Sequence, residues 1–471
     1  MHDTSPSADL HYRSIAQIAG AFATGTLSPI ELTRAMLDRI ERLDPALRSY
    51  ITVTPDLAMD QAARAEQELG RGQSRSPLHG VPIAVKDLCC TRDSVTTAGM
   101  AIHRDHRPDY DATVVERLRL AGAVLLGKLH MTEGATIEHH PEMPRPINPW
   151  GEQFWAGASS SGSGVATAAG LCFASLGSDT GGSIRYPSAA NALTGLKPTW
   201  GRVSRYGVFD LAASYDTVGP MARSAADCAI MFDAIAGHDF RDPTSLLAPV
   251  APCFAGLKGV SGAAGLRIGV DPRFNGADAD PEAAALIDEA AEIFARIGAE
   301  LLDITFPDPR PLLEHLLELQ MVELAHAHRA TFPSQADRYG AWLREGIETG
   351  LRASPVAIAD ALFERERFRG RLAALFTQID IVLLPVLPGG TPDWDAPVRM
   401  VEEDQQAFFR YTGPLNASGS PTVTLPCGFT QGGRPVGLQL AGPHCSEAML
   451  LRAAHAYQQV TGWHLRRPPV G

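Results

Sequence analysis

Several things are scarce in this sequence. Its 471 residues include only seven Cys, none of them in a CxxC pair. Cys89 and Cys90 are adjacent, and the others are scattered as far as Cys445. That pattern argues against a disulfide framework or a structural zinc site, and for a reducing cytosol. No apolar stretch reaches the roughly 18–20 residues that a bilayer span needs. The segment from Met1 to Ser14 has no charged start followed by an apolar run, so no secretory leader is expected. A cytoplasmic protein is the resulting expectation. Positive charge is also in the minority, with 41 Lys and Arg against 53 Asp and Glu and a net charge of −12. Without a basic run, neither nucleic acid nor an anionic membrane is an expected partner.

Other features are plentiful. Hydrophobic residues make up 45% of the chain, enough for a substantial core and too many for a disordered segment. Length alone suggests about three domains at roughly 150 residues each. Ser28-Pro29-Ile30-Glu31 forms a capping box with proline at the first helical position. Leu32, Met36, Ile40 and Leu43 follow at helical spacing, and Asp44-Pro45 is expected to end that helix. From Gly80 the pattern alternates. A strand through Val85 ends in Lys86-Asp87, a helix from Asp111 closes at Gly122, and Ala123 to Leu126 forms the next strand. Leu266 to Val270, Pro281 to Ile297 and Leu301 to Ile304 read as strand, helix and strand. Residues 310–375 read as helices and Ile381 to Val386 as a strand. Thr422 to Leu425 and Val436 to Ala441 look like paired strands, followed by a helix from Glu447 to Val460. This alternation predicts an α/β fold around a largely buried sheet.

Some short motifs fail on closer reading. Gly122 to Lys128 fits most of a phosphate-binding loop, but Leu129 stands where a Ser or Thr must hold magnesium. Asp179-Thr180-Gly181 matches the aspartic-protease tripeptide, yet no second copy exists to share a proton. The Gly-x-Ser-x-Gly elbow is absent around the serine-rich loops. His139-His140 has no further His at ligand spacing, so a loop near a pocket mouth is the better reading, and no metal is expected.

A combination of segments remains. Gly157-Ala158-Ser159-Ser160-Ser161-Gly162-Ser163-Gly164 precedes Gly177-Ser178-Asp179-Thr180-Gly181-Gly182-Ser183-Ile184-Arg185. Upstream lies Gly80-Val81-Pro82-Ile83-Ala84-Val85-Lys86-Asp87, and downstream Gly195-Leu196-Lys197-Pro198-Thr199. Asn148-Pro149-Trp150 and Pro435 to Leu440 add two further matches. This arrangement resembles the amidase signature family, closely over residues 78–235 and recognisably over 410–465. The resemblance implies one amidase domain over 1–471, with a large central mixed β-sheet flanked by helices on both faces. Within it, 1–75 would be N-terminal helices, 78–235 the signature core, 240–400 a variable pocket-forming part, and 405–471 the closing strands and helix.

The chemistry implied by the resemblance is consistent with these residue types. An amide carbonyl is a poor electrophile, so its cleavage needs a nucleophile, a base, an acid for the leaving amine and an oxyanion cradle. By resemblance Ser183 is the nucleophile, Ser159 relays its proton, and Lys86 is the base, with a cis peptide bond before Ser159. Lys86 must be neutral to act, and burial would lower its pKa. The amides of Thr180, Gly181, Gly182 and Ser183 would receive the oxyanion. Losing one such donor typically costs about 3–4 kcal/mol in the transition state. Asp179 and Arg185, with Ser160, would frame the loop rather than transfer protons. A solvated or Asp87-paired Lys86, and serines serving only as turns or caps, are the bland alternatives.

The substrate is less legible. Glu133, Gly134 and Ala135 are expected to line a roomy pocket, along with Phe408, Phe409 and Tyr411, although ordinary core packing explains the aromatics equally well. Ala158 and Ser161 replace glycines common in the family, and tolerance is expected because neither reacts. The family includes glutaminase subunits of amidotransferases, fatty-amide hydrolases and broad bacterial amidases. The glutaminase reading is disfavoured because Tyr411, not an acidic residue, precedes Thr412. An amidase for small amides, anilides or carbamates, needing no cofactor, is the leading expectation. The alternatives are an ester or urethane hydrolase, and a weakly active subunit that depends on a partner. The oligomeric state, a homodimer included, stays open.

Overall fold

The computed structural model of the chain describes residues 10–257 and 263–470. Its strands, in chain order, are β1 (Tyr50–Val53), β2 (Pro82–Lys86), β3 (Val124–Leu129), β4 (Ala174–Asp179), β5 (Thr194–Lys197), β6 (Thr217–Ala222), β7 (Arg267–Val270), β8 (Glu300–Asp303), β9 (Ile381–Pro385), β10 (Thr422–Phe429) and β11 (Pro435–Ala441). Among the described residues they form one 11-stranded sheet in the order β1-β3-β2-β4-β6-β5-β10-β11-β9-β7-β8. The sheet is mixed. β2 runs parallel to β3 and β4, and β7 parallel to β8 and β9, while the pairs between β4 and β9 are antiparallel.

Every residue of β2, β3, β4, β6, β9 and β11 is buried, which requires cover on both faces. The cover comes from helices such as Pro55–Gly70 against β3, Ala225–Ile235 against β5 and β6, and Glu447–Val460 against β10. The edge strand β8 is largely exposed and carries Glu300 and Asp303 at its ends, charges that discourage pairing with another chain. No helix among the described residues is long and apolar enough to cross a membrane.

Local expectations are largely met. The Ser28 capping box forms, with the Ser28 hydroxyl accepting from Glu31 N–H and the Glu31 carboxylate accepting from Ser28 N–H. The helix does not stop at Asp44-Pro45, however. It runs to Leu47 and ends at Arg48 in the left-handed region, φ 57°. Proline in the last turn removes a single N–H donor, and the Asp44 carboxylate holds the turn beyond it by accepting from the amides of Ser49 and Tyr50. β10 also extends past Leu425 to Phe429, with an irregularity between Pro426 and Gly428.

At the end of β2, Asp87 is not the partner of Lys86. Its carboxylate pairs with Lys128 of β3 at 3.0 Å and accepts from both the amide and the hydroxyl of Thr97. Both charged side chains are almost completely buried. Replacing Lys128 by Met would strand the carboxylate inside the protein, at about 3–5 kcal/mol. Lys128→Met should therefore lower the unfolding free energy measured in urea by a margin of that order, and a variant as stable as wild type would contradict the pairing.

Candidate active site

β2 and β4 are parallel neighbours, so their carboxyl ends open on the same edge of the sheet, where ligands gather in α/β proteins. Lys86 is the last residue of β2, and Ser178-Asp179 ends β4. The serine-rich loop crosses over them and enters the helix Ser161–Ala168. Lys86 Nζ lies 2.6 Å from Ser159 Oγ and 2.9 Å from Ser178 Oγ. Lys86, Ser159 and Ser160 are fully buried. Burial lowers the Lys86 ammonium to about 7, against the opposing pull of Cys89, Asp179 and Asp216. The peptide bond between Ala158 and Ser159 is cis. Ser160 fixes the crossing, since its hydroxyl donates to the Ser178 carbonyl at 3.2 Å and accepts from the Ser178 amide at 3.3 Å. Ser178 is a partner of Lys86 that the sequence reading missed, although it stands inside the quoted glycine-rich run.

The next loop is closed on one carboxylate. Asp179 accepts from the amides of Gly182, Ile184 and Arg185, from Arg185 Nε and Nη2, and from Asn416 Nδ2. Burial alone would raise its pKa. The Arg185 charge and hydrogen bonds, helped by Lys197 and Asn416, outweigh burial and hold it well below the usual carboxylate range. Arg185 in turn donates to Thr412 O, Gln439 Oε1 and Asn416 Oδ1, tying the loop to the C-terminal part of the chain.

This network separates the four amides expected to face an oxyanion. Gly182 N–H points to Asp179 at 2.9 Å and is already satisfied. Among the described residues, the amides of Thr180, Gly181 and Ser183 have no such acceptor. Gly182 adopts φ +137°, and a Cβ there would run into the Tyr186 ring at 2.4 Å. Ser183 is half-buried, lines a cavity, and its hydroxyl has no hydrogen-bond partner among the described residues.

That cavity measures about 540 Å³. Ala135, Ala158, Gly181 and Ser183 form its floor, with Trp155, Tyr186, Met321, Trp342, Phe408 and Phe409 around them. Phe409 packs directly over Gly181, where a Cβ would come within 3.0 Å of its ring. Three other expected lining residues lie elsewhere. Glu133 is turned away, and its carboxylate accepts from Gly340 N–H, its pKa raised to about 7 by burial. Gly134 gives no extra room, because a Cβ there would press on Leu343 at 2.9 Å. Tyr411 is 1% exposed and donates its hydroxyl to the carbonyls of Phe274 and Asn275. These residues join the pocket wall to neighbouring helices. Trp155, Met321 and Trp342 were not anticipated, because only the fold brings their segments to the site.

Of the tempting histidines, His139 Nε2 meets Ser161 Oγ at 3.0 Å, and His140 Nδ1 accepts from the Glu142 amide. Asn148 is a structural clamp, donating to Trp155 O and Ala190 O beneath the pocket.

The chain is similar to known proteins over nearly its whole length. The family profile described as Amidase matches residues 31–451. The AmiD protein of Mycobacterium tuberculosis, named as an amidase, is 45% identical over 459 residues, covering 97% of this chain and 96% of its own. A glutamyl-tRNA(Gln) amidotransferase subunit of Methylococcus capsulatus is 38% identical, covering 98% and 99%. The crystal structure of a peptide amidase from Stenotrophomonas maltophilia superposes with a TM-score of 0.81 at 31% identity, over 97% and 98% of the two chains. The chain thus belongs to the amidase signature family and is an amide-hydrolysing enzyme.

Proposed function

We propose that this enzyme cleaves small-molecule carboxamides on its own, through an acyl-enzyme at Ser183. The observation that carries the reading is the buried Lys86–Ser159 hydrogen bond of 2.6 Å, set behind a cavity that Ser183 lines. With a pKa near 7, a large share of Lys86 is neutral at physiological pH. The neutral amine takes the Ser159 proton as Ser159 takes that of Ser183. A turn of the Ser183 side chain towards Ser159 on substrate arrival completes the relay, as catalytic contacts commonly tighten on binding.

Ser183 Oγ then attacks the amide carbon, and the carbonyl π electrons move to oxygen. The free amides of Thr180, Gly181 and Ser183 can donate to that oxyanion. Collapse of the intermediate breaks the C–N bond. The departing amine receives its proton from Lys86 through Ser159, and water repeats the sequence to release the acid.

The cavity supports a small, largely apolar substrate. Among the described residues its lining includes Glu314, Glu318, Glu345 and Glu402 and no Lys, Arg or His. This field favours neutral or cationic amides over carboxylates. The same machinery suits carbamates and esters. The near full-length likeness to the amidotransferase protein favours a second reading, in which the chain serves a partner complex. A purified chain that hydrolyses simple amides unaided excludes that second reading.

Three outcomes test the proposal. Ser183→Ala should lower kcat at least about 1,000-fold while the circular-dichroism spectrum stays that of wild type, and substantial residual turnover would sink the nucleophile assignment. The wild-type rate should rise with pH through about 7 and level off above it, because only the deprotonated Lys86 accepts a proton. A profile flat from acid to alkaline pH contradicts a lysine base. For matched anilides, kcat/KM should fall in the order cationic, neutral, carboxylate-bearing, and a preference for the anion would refute the charge reading.

A further inference from the structure

The loop from Thr180 to Ser183 is held through its carbonyls. Tyr186 N–H donates to Gly182 O at 2.7 Å, and Thr412 Oγ1 donates to Gly181 O at 2.6 Å. The Thr180 carbonyl accepts from Gln320 Nε2 at 3.1 Å. In a trans peptide the C=O and the following N–H point in opposite directions. Each anchored carbonyl therefore aims the next amide. Gly181 O directs Gly182 N–H to Asp179, and Gly182 O directs Ser183 N–H. Thr180 O directs Gly181 N–H, which has no acceptor among the described residues while Gly181 lines the cavity.

We infer that Gln320 is a positioning residue for the oxyanion cradle, holding the Thr180–Gly181 peptide so that the Gly181 amide faces the reacting carbonyl oxygen. Gln320 belongs to the helix Arg310–His328, outside the signature segments, and is 3% exposed. A long amide buried at the cavity wall is an unusual choice where Leu or Met would pack as well. Its side-chain hydrogen bond goes to this loop. Asp216 supports the same residue from the other side, accepting from Thr180 Oγ1 at 2.5 Å. That bond fixes the side chain and leaves the peptide plane to Gln320.

The inference rests on Ser183 forming the tetrahedral adduct, and its test keeps the two apart. Gln320→Met preserves length and removes the donor. With turnover normalised to reactive sites titrated by a fluorophosphonate, kcat should fall about tenfold and KM should stay within about twofold. The loss is smaller than deletion of a cradle donor because the Gly181 amide is loosened rather than removed. A trifluoromethyl ketone of the substrate, which places an oxyanion in the cradle, should bind Gln320→Met more weakly by the same factor. A ground-state competitor with no electrophile should bind both proteins equally. Gln320→Glu can donate only when protonated, so its kcat relative to wild type at the same pH should rise as pH falls. That ratio removes the titration of Lys86. Equal kcat in Gln320→Met and wild type, or a rise in KM alone, overturns the inference. Equal ketone affinity for the two proteins overturns it while leaving Ser183 standing. A ketone that fails on wild type as well removes the Ser183 reading and this inference with it.

Discussion

The site depends on a carboxylate buried at the end of a strand. Asp179 leaves β4 with no solvent to satisfy it, and Arg185, six residues later, is equally buried. Desolvating both charges is costly, and their attraction offsets that cost only with full hydrogen bonding. The chain supplies it by wrapping the loop around the carboxylate, so that three backbone amides and the guanidinium converge on Asp179. The fold of the glycine-rich loop is in this sense the coordination shell of one anion. Arg185 then reaches Thr412, Asn416 and Gln439 with its remaining donors, so the closing segment of the chain is held to the loop it must frame.

Two buried lysines on adjacent strands differ in their partners. Lys128 has a carboxylate, Asp87, at 3.0 Å. Among the described residues Lys86 has two hydroxyls, at 2.6 and 2.9 Å, and no carboxylate in an ion pair. Hydroxyls satisfy an ammonium's geometry without compensating its charge, so burial dominates and Lys86 is left near 7. The neighbouring Asp87, the obvious partner in sequence, is turned away by the strand's alternation and taken up by Lys128 and Thr97. The same low-dielectric surroundings that lower the Lys86 pKa would strengthen amide donors aimed at a developing oxyanion.

The pocket departs furthest from expectation, and for a consistent reason. Glu133 and Gly134 adjoin Ala135, which does line the cavity, but at a tight turn with Gly134 at φ +55° the Glu133 carboxylate meets the Gly340 amide and Gly134 lies against Leu343. Phe408 and Phe409 reach the cavity, whereas Tyr411 is captured by the carbonyls of Phe274 and Asn275. A helix face cannot be assigned without knowing what it packs on. The walls come mainly from helices in residues 310–409, mostly within the part expected to be variable and pocket-forming.

By itself the sequence, through its resemblance to a family, singled out the groups proposed to react. Lys86, Ser159 and Ser183 sit in three motifs whose order and spacing carry that resemblance, and strand and helix periodicity marked most elements near their true ends. Local chemistry suffices there, because caps, turns and strand ends depend on neighbours in the chain. Tertiary structure alone decided which partner each buried group received: Ser178 for Lys86, Lys128 for Asp87, Gln320 for Thr180, and Asp179 instead of a substrate for the Gly182 amide. Those assignments are competitions among donors and acceptors far apart in sequence. They are settled by distance and desolvation, which exist only once the sheet has brought its strand ends together.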